Sequence, residues 1–210
     1  MAIPVALPAT FTLATALGAR ALAKLGVLPT RLSAVDEATT IDVLCSDKTG
    51  TLTRNELTVT SVRPMPGSDE AHVLGLAALA SSDGGQDSVD VAIRSAASKT
   101  PVSDLPKLTR FVPFDPAKKT SEATATDAKS GEQRIVKGAF TAVSGLSIPS
   151  PAASGIADEL EKQGFRVLAV ASGPPTSMQL VGFIALSDPP RADSSSLISE
   201  LKTLGVRTVM

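Results

Sequence analysis

An α/β fold is what the sequence predicts, and three observations carry it. Ile41 to Cys45 is a short apolar run ending on Ser46-Asp47, with Gly50 following within a turn; this is the pattern of a buried strand whose C-terminal edge presents a carboxylate. Ala192 to Leu204 has helical spacing, stops at Gly205, and leads into the apolar start of another strand, Val206 to Met210. Between them helical and strand-like segments are interleaved. At 210 residues the chain has the length of one or two domains and enough material for a sizeable core.

The elements follow from periodicity and punctuation. Leu57 to Val62 alternates as a strand, whereas Ala71 to Ser81 and Val89 to Ser98 repeat with helical spacing around the loop Ser82 to Asp87. Pro106 interrupts Asp104 to Leu108, after which Arg110 to Pro113 and Ser121 to Thr126 read as strands. Arg134 to Lys137 is a further strand closed by Gly138. Ala152 to Gln163 is a helix stopped by Gly164, and Arg166 to Ala171 and Gln179 to Ala185 are strands. A helix, a glycine and an opening strand precede the next functional loop in an open α/β sheet, so Val206 to Met210 reads as a strand left without its loop. The sequence therefore reads as truncated at both ends.

The N-terminus departs from a soluble domain. Residues 2–19 carry no charge, and Arg20, Lys24 and Arg31 follow them before the first acidic residue, Asp36. A helix of that length reaches roughly 27 Å, close to the thickness of a bilayer core. Positive charge after the apolar run, not before it, argues against a secretory signal and places residues from about 20 onward in the cytoplasm. Pro4 and Pro8 cannot both lie in an unbroken helix, because each removes an amide donor and disturbs the carbonyl four residues back. The segment reads as part of a membrane helix broken near its start, contacting lipid through residues 2–19. A buried helix of a soluble protein with a proline-containing start is the alternative.

Composition excludes several function classes. Twenty Lys+Arg against 21 Asp+Glu give a net charge of -1, which offers no attraction for nucleic acid, and 3% aromatics leaves few stacking platforms for single strands. One cysteine rules out a disulfide framework and any cysteine-based zinc site, pointing to a reducing compartment. With 43% hydrophobic and 20% charged residues, the chain is not a disordered polyelectrolyte.

The chemistry sits in Asp47 to Thr53, DKTGTLT. A carboxylate at the C-terminal end of a strand lies where open α/β sheets place reacting groups. Asp47 in that position can attack a phosphoryl group to give an aspartyl phosphate, dividing hydrolysis into two steps. Lys48 lies beside it, and Thr49, Gly50 and Thr51 supply hydroxyls and closely approaching amides for phosphate oxygens. Such transfer depends on positioning and charge neutralisation, so Mg²⁺ is expected, with Asp47 and Thr49 as ligands. The competing reading is a polar turn in which Asp and Thr cap the next element.

CSDKTGTLT resembles the phosphorylation signature of the P-type ATPases, ion pumps that form an aspartyl phosphate on this Asp. Further matches follow in family order. Pro4-Val5-Ala6-Leu7-Pro8 resembles the broken fourth membrane helix, which makes Pro4 and Pro8 part of the ion pathway. Asp90 in DSVDVAI stands where the family has an acidic residue near the adenine. Phe114 and Lys119 in PFDPAKKT resemble the stacking aromatic and basic residue of the nucleotide pocket, and Lys137-Gly138-Ala139 resembles its KGA loop. Arg166 in GFRVLAVA resembles a phosphate-facing contact, and Asp188-Pro189-Pro190-Arg191 the hinge back into the phosphorylation domain. Taken singly each has a plainer reading: Lys118, Lys119 and Lys137 as solvated charges, Phe114 as core, Arg166 as a surface strand residue. His72 and Cys45 read as structural, one on a helix and one in a buried strand, as do Asp42, Asp36 and Glu37.

The resemblance implies an architecture and a function. A partial haloacid-dehalogenase-like (Rossmann-like) phosphorylation domain is interrupted by an α+β nucleotide-binding domain with an antiparallel sheet, after half of a transmembrane helix. Its boundaries fall at 1–28 for the helix and stalk, 29–55 for the first phosphorylation segment, 56–190 for the nucleotide-binding domain and 191–210 for the returning segment. ATP and Mg²⁺ are the implied cofactors, and the rest of the pump, with its actuator domain and other membrane helices, is the implied partner. The TGD, GDGxND and TGE loops of the family do not occur in the sequence, so this chain by itself is expected to bind ATP weakly and not to turn it over. Between the two prolines there is neither the acidic residue of calcium and sodium pumps nor the Cys of heavy-metal pumps. PVALP, the context IDVLCSDKTGTLT and the shortness of residues 56–190 are similar to the proton-exporting subgroup of plasma membranes. A soluble phosphatase of the haloacid-dehalogenase type would carry a second Asp where Thr49 stands. A catalytically inactive nucleotide-binding remnant, or a pump for another cation, is the remaining alternative.

Overall fold

The computed structural model describes residues 6–127 and 131–210. Two compact units emerge, the first ending at Leu52 and resuming over Arg191–Met210, the second formed by Thr53–Pro190.

The second unit is built on a six-stranded antiparallel sheet. Its strands are β2 (Thr58–Pro64), β3 (Lys107–Asp115), β4 (Thr120–Asp127), β5 (Gly131–Gly138), β6 (Arg166–Gly173) and β7 (Gln179–Ser187), in the order β2-β7-β6-β5-β4-β3. Side chains alternate across a strand, and here both faces of the central strands β5, β6 and β7 are covered. Ile135, Leu168, Val170, Ile184 and Leu186 pack against helices α3 (Glu70–Leu79) and α4 (Ser88–Lys99) on one face. Their neighbours in sequence, Val136, Ala169, Ala171, Phe183 and Ala185, pack against α5 (Phe140–Ser144) and α6 (Ala153–Lys162) on the other. Burial on both faces explains why these strands read as nearly continuous apolar runs. Phe183 is fully buried and meets Phe140 at 5.4 Å between ring centroids; burying a side chain of that size contributes about 1.5–3 kcal/mol.

Caps fix where α3 and α4 begin. The Asp69 carboxylate accepts from the His72 amide at 2.7 Å, and the Asp87 carboxylate accepts from the amides of Val89 and Asp90. Each satisfies first-turn donors that would otherwise lack partners. The strands between β3 and β7 run longer than periodicity predicts, because ladder pairing extends into polar residues. Arg134 on β5, for example, makes a two-pronged ion pair with Glu122 on β4, with Nε to Oε2 at 3.0 Å and Nη2 to Oε1 at 2.9 Å.

The first unit contains α1 (Ala6–Lys24), α2 (Ser33–Ala38), β1 (Val43–Cys45), α7 (Ser194–Thr203) and β8 (Arg207–Val209). β1 and β8 pair in parallel, with Leu44 opposite Thr208. The strand expected from Val206 onward therefore forms. β1 corrects one expectation, since Val43, Leu44 and Cys45 are exposed and not buried. A parallel pair is buried only where helices cover both its faces, and among the described residues β1 has no such cover. The sequence does not predict α2 and α5; both are too short to display helical periodicity.

Pro4 lies outside the described residues. Pro8 lies within α1, and the described helix runs on unbroken to Lys24. Among the described residues no helix is long and apolar enough to cross a membrane. The expectation of a membrane helix over residues 2–19 is therefore not met by the part of it that is described. Thr10, Thr12 and Thr15 return their hydroxyls to carbonyls one turn back, which satisfies them without water.

Candidate functional site

Asp47 follows the C-terminal end of β1. The strand's last ladder bond runs from the Ser46 amide to the Val209 carbonyl at 2.9 Å, and the Asp47 side chain beyond it is exposed. The chain then folds tightly over Lys48–Leu52. Thr49 (φ -77, ψ 122) and Gly50 (φ 79, ψ -11) have the dihedral angles of the two central residues of a type II turn, and the second of these positions demands glycine. Leu52 is buried beneath the turn, and its carbonyl accepts from the Ser194 hydroxyl at 2.7 Å and the Arg191 amide at 2.9 Å. The nucleophile candidate is therefore displayed on a strand end whose following loop is anchored at both of its ends.

Mg²⁺ can be tested against this donor set. Asp47 offers carboxylate oxygens and Thr49 oxygen donors, both exposed. Among the described residues there is no group of three or more His, Cys, Asp or Glu side chains able to hold a metal. Oxygen-only, incomplete and open to water is the donor pattern suited to Mg²⁺, which keeps several waters and takes phosphate oxygens alongside one or two carboxylates. The residues present fit the ion as part of its shell.

A second site lies in the other unit. Asp87, Val89, Asp90, Phe114, Ser121, Lys137, Gly138, Arg166 and Leu168 line one cleft. Five of the eight residues singled out in the sequence for nucleotide contact, Asp90, Phe114, Lys137, Gly138 and Arg166, thus come together although they are spread over more than seventy positions of chain. The enclosed space is only about 40 Å³. Among its lining residues, Phe114 has a half-exposed ring.

The floor of the cleft is a buried ion pair. Lys137, 3% exposed, donates to the Asp90 carboxylate and to the Ser81 hydroxyl, the latter at 2.6 Å. The other Asp90 oxygen accepts from the Ser82 amide at 2.8 Å. Burial pulls the Lys137 pKa below its ordinary 10.5, while the Asp90 hydrogen bond and the charges of Asp90 and Asp87 oppose that pull. Lys137 is therefore not the solvated surface charge of the plainer reading: its ammonium already has partners inside the protein.

Gly138 is held against the turn between β3 and β4. A Cβ there would lie 2.2 Å from the Lys119 carbonyl oxygen and 2.9 Å from the Thr120 Cα. Lys119 itself has φ 58, its amide donates to the Asp115 carbonyl at 2.7 Å, and its side chain is exposed. Lys118 is exposed beside Asp115, as expected of a solvated charge.

Asp188 and Arg191 take no part in lining the cleft. The Asp188 carboxylate accepts from the Thr53 hydroxyl at 2.5 Å and from the Glu56 amide at 3.1 Å, tying together the two segments where the second unit begins and ends. Sequence reasoning misses Asp87, Ser81 and Ser121 at the cleft. Asp87 does carry a legible signal, an acidic residue just ahead of a helical pattern, but that signal speaks of a cap and not of a pocket.

No protein-family model matches the chain. It is 36% identical over 212 residues to a protein of Methanocaldococcus jannaschii that carries the name of a cation-transporting ATPase, covering 98% of this chain and 26% of that protein. Two solved structures of a zinc-transporting PIB-type ATPase, representing two different states, are each 29% identical. They superpose with TM-scores of 0.74 and 0.73 over 93% and 91% of this chain, and 29% of each of theirs. The chain thus spans less than a third of the length of these relatives. In sequence and in fold it is similar to a segment of the cation-transporting P-type ATPases.

Proposed function

We propose that this chain is the phosphoryl-accepting and nucleotide-binding part of a cation-transporting P-type ATPase, with residues 56–190 binding ATP and Asp47 accepting its terminal phosphoryl group. The observation that carries this reading is the coexistence, in one chain, of an exposed Asp47 on a strand end before a type II turn and a cleft assembled from Phe114, Lys137, Gly138 and Arg166.

In the proposed first step an Asp47 carboxylate oxygen attacks the terminal phosphorus of ATP. The bond to the bridging oxygen breaks, ADP leaves, and an acyl phosphate remains on Asp47. Lys48 and the hydroxyl and amide groups of Thr49, Gly50 and Thr51 hold the phosphoryl oxygens. Bound Mg²⁺ supplies charge neutralisation for the phosphates. Phe114 stacks the base, and Arg166 and the exposed Lys119 supply positive charge along the phosphate path. Asp188 and Arg191 act at the hinge, through the hydrogen bonds already described. Hydrolysis of the aspartyl phosphate and ion movement belong to other parts of the pump, in a plasma membrane.

For the ion, Val5-Ala6-Leu7 between Pro4 and Pro8 favours protons, because no side chain there ligates a metal. A second reading, zinc, is favoured by the names of the two similar structures; it would need soft or imidazole ligands elsewhere in the pump, since the one Cys here is Cys45. The test uses the parent pump in sealed vesicles. Label from the terminal phosphate of ATP should appear as an acid-stable, hydroxylamine-sensitive adduct, and Asp47→Asn should abolish it. Persistent labelling of the Asn variant would remove Asp47 from its role. Acidification of the vesicle lumen without added zinc supports protons, whereas labelling that requires zinc supports the second reading.

A further inference from the structure

Ser194 is the first residue of α7, and serine at a helix start ordinarily turns its hydroxyl to the helix's own free amides. Here it does not. The buried hydroxyl donates instead to the Leu52 carbonyl at 2.7 Å, across 142 positions of chain. Asp193, just before it, makes no side-chain cap either. A local rule left unmet where a distant contact is made marks a position held for something other than the stability of its helix. Leu52 closes the tight turn that follows Asp47. Its carbonyl also accepts from the Arg191 amide at 2.9 Å, so both lone pairs are engaged and the peptide leaving the turn is fixed. The other end of the turn is held by the Ser46 amide on the Val209 carbonyl, also at 2.9 Å. Between these anchors Asp47, Lys48, Thr49, Gly50 and Thr51 are all exposed. Of the three anchoring bonds, the one from Ser194 alone comes from a side chain.

Resting on the reading of Asp47 as the phosphoryl acceptor, we propose that Ser194 is a positioning residue for that transfer. Its hydroxyl holds the exit of the Lys48–Leu52 turn, so that Asp47 and the donors of Thr49, Gly50 and Thr51 meet the phosphoryl group in a single geometry. Attack requires reacting atoms about 3–3.5 Å apart, and a displacement of about 1 Å can slow it about a hundredfold. A short turn whose side chains face solvent has little packing of its own to enforce such a geometry, and takes its precision from what anchors it. Without the Ser194 hydroxyl, the buried Leu52 carbonyl keeps one partner of two and the turn is free to shift. Ser194 does not line the nucleotide cleft, so its effect falls on the rate of transfer and not on the binding of ATP.

The experiment follows labelling of Asp47 from the terminal phosphate of ATP in the parent pump, over time and at several ATP concentrations. Ser194→Ala removes the hydroxyl and Ser194→Thr keeps it. Ser194→Cys preserves the shape with a weak donor, so that a folding defect peculiar to the alanine does not decide the matter. Ser196→Ala is the control, because the Ser196 hydroxyl donates to the Asp193 carbonyl at 2.8 Å and its loss disturbs only the start of α7. In Ser194→Ala and Ser194→Cys the rate at saturating ATP should fall about tenfold while the half-saturating ATP concentration stays within about twofold. Ser194→Thr should recover the rate to within about threefold, and Ser196→Ala should label like the unaltered pump. An unchanged rate without the hydroxyl, a loss confined to the half-saturating concentration, an equal loss in Ser196→Ala, or no recovery in Ser194→Thr overturns the role of Ser194 and leaves Asp47 as the acceptor. Absence of Asp47-dependent label in the unaltered pump overturns the acceptor, and this proposal with it.

Discussion

At the scale of single residues, Lys137 shows how burial changes what a motif residue does. In the sequence it is one lysine in a KGA loop; in the fold its ammonium sits between Asp90 and Ser81 with 3% of its surface exposed. Replacing it with Met leaves Asp90 buried beside only an amide, and loss of one partner of such a pair costs about 3–5 kcal/mol. Part of that loss depends on pH. Because the folded-state pKa of Lys137 is lowered from 10.5, the unfolded chain binds more protons than the folded chain in the window that closes at 10.5. Stability linked to this group accordingly rises with pH through that window. The stability gap between the unaltered chain and Lys137→Met should therefore widen between pH 7 and about pH 10, as read from urea unfolding. A gap that is constant or shrinks would mean that burial does not dominate the lysine's environment.

At the scale of elements, the sheet of the second unit is largely legible in the sequence and the contacts between its strands are not. Alternation and glycine stops place β2 through β7 and the helices α3, α4 and α6, because a two-sided core forces apolar residues into positions that periodicity detects. The turn after Asp47 is equally plain, since D-K-T-G puts a glycine where the turn needs φ near 80°. Burial of β1 is not legible, because an apolar run does not say what covers it. The pairing of Asp90 with Lys137 is invisible for another reason: α4 and β5 lie far apart in sequence and meet only through the sheet order. Gly138 illustrates the same limit. It looks like the end of a strand, yet its lack of a side chain is what lets β5 pass the Lys119 carbonyl. Gly138→Ala drives a Cβ into backbone that cannot retreat without breaking the β4–β5 ladder, so its cost should reach or exceed the roughly 1–3 kcal/mol typical of overpacking. Gly145→Ala is the control, with its nearest neighbour at an ordinary 3.6 Å. Thermal melts should separate the two clearly; equal melting temperatures would show that the β3–β4 turn yields.

At the scale of the whole molecule, the core belongs almost entirely to one unit. Both clusters of buried apolar side chains fall within Thr53–Pro190, whereas the described residues of the other unit bury only Thr15, Leu52 and Ser194. The ends of Thr53–Pro190 are also closed on each other. Thr53 bridges to Pro190, the Arg54 amide donates to the Pro189 carbonyl at 3.0 Å, and the Asp188 carboxylate holds Thr53 and the Glu56 amide. A segment whose ends already meet loses little on excision, because the rest of the chain is not needed to bring them together. Residues 53–190 produced alone should therefore unfold in one cooperative transition within a few degrees of the main transition of the full chain. Asp188→Ala in that excised segment should lower its midpoint by about 4 °C or more, since it releases a buried hydroxyl and an amide at once. Circular dichroism on heating reads both effects. A broad, non-cooperative melt of the excised segment would mean that its two cores depend on the remainder of the chain, and an unaltered midpoint in Asp188→Ala would mean that the closure at Thr53–Pro190 is held by the backbone bridge alone.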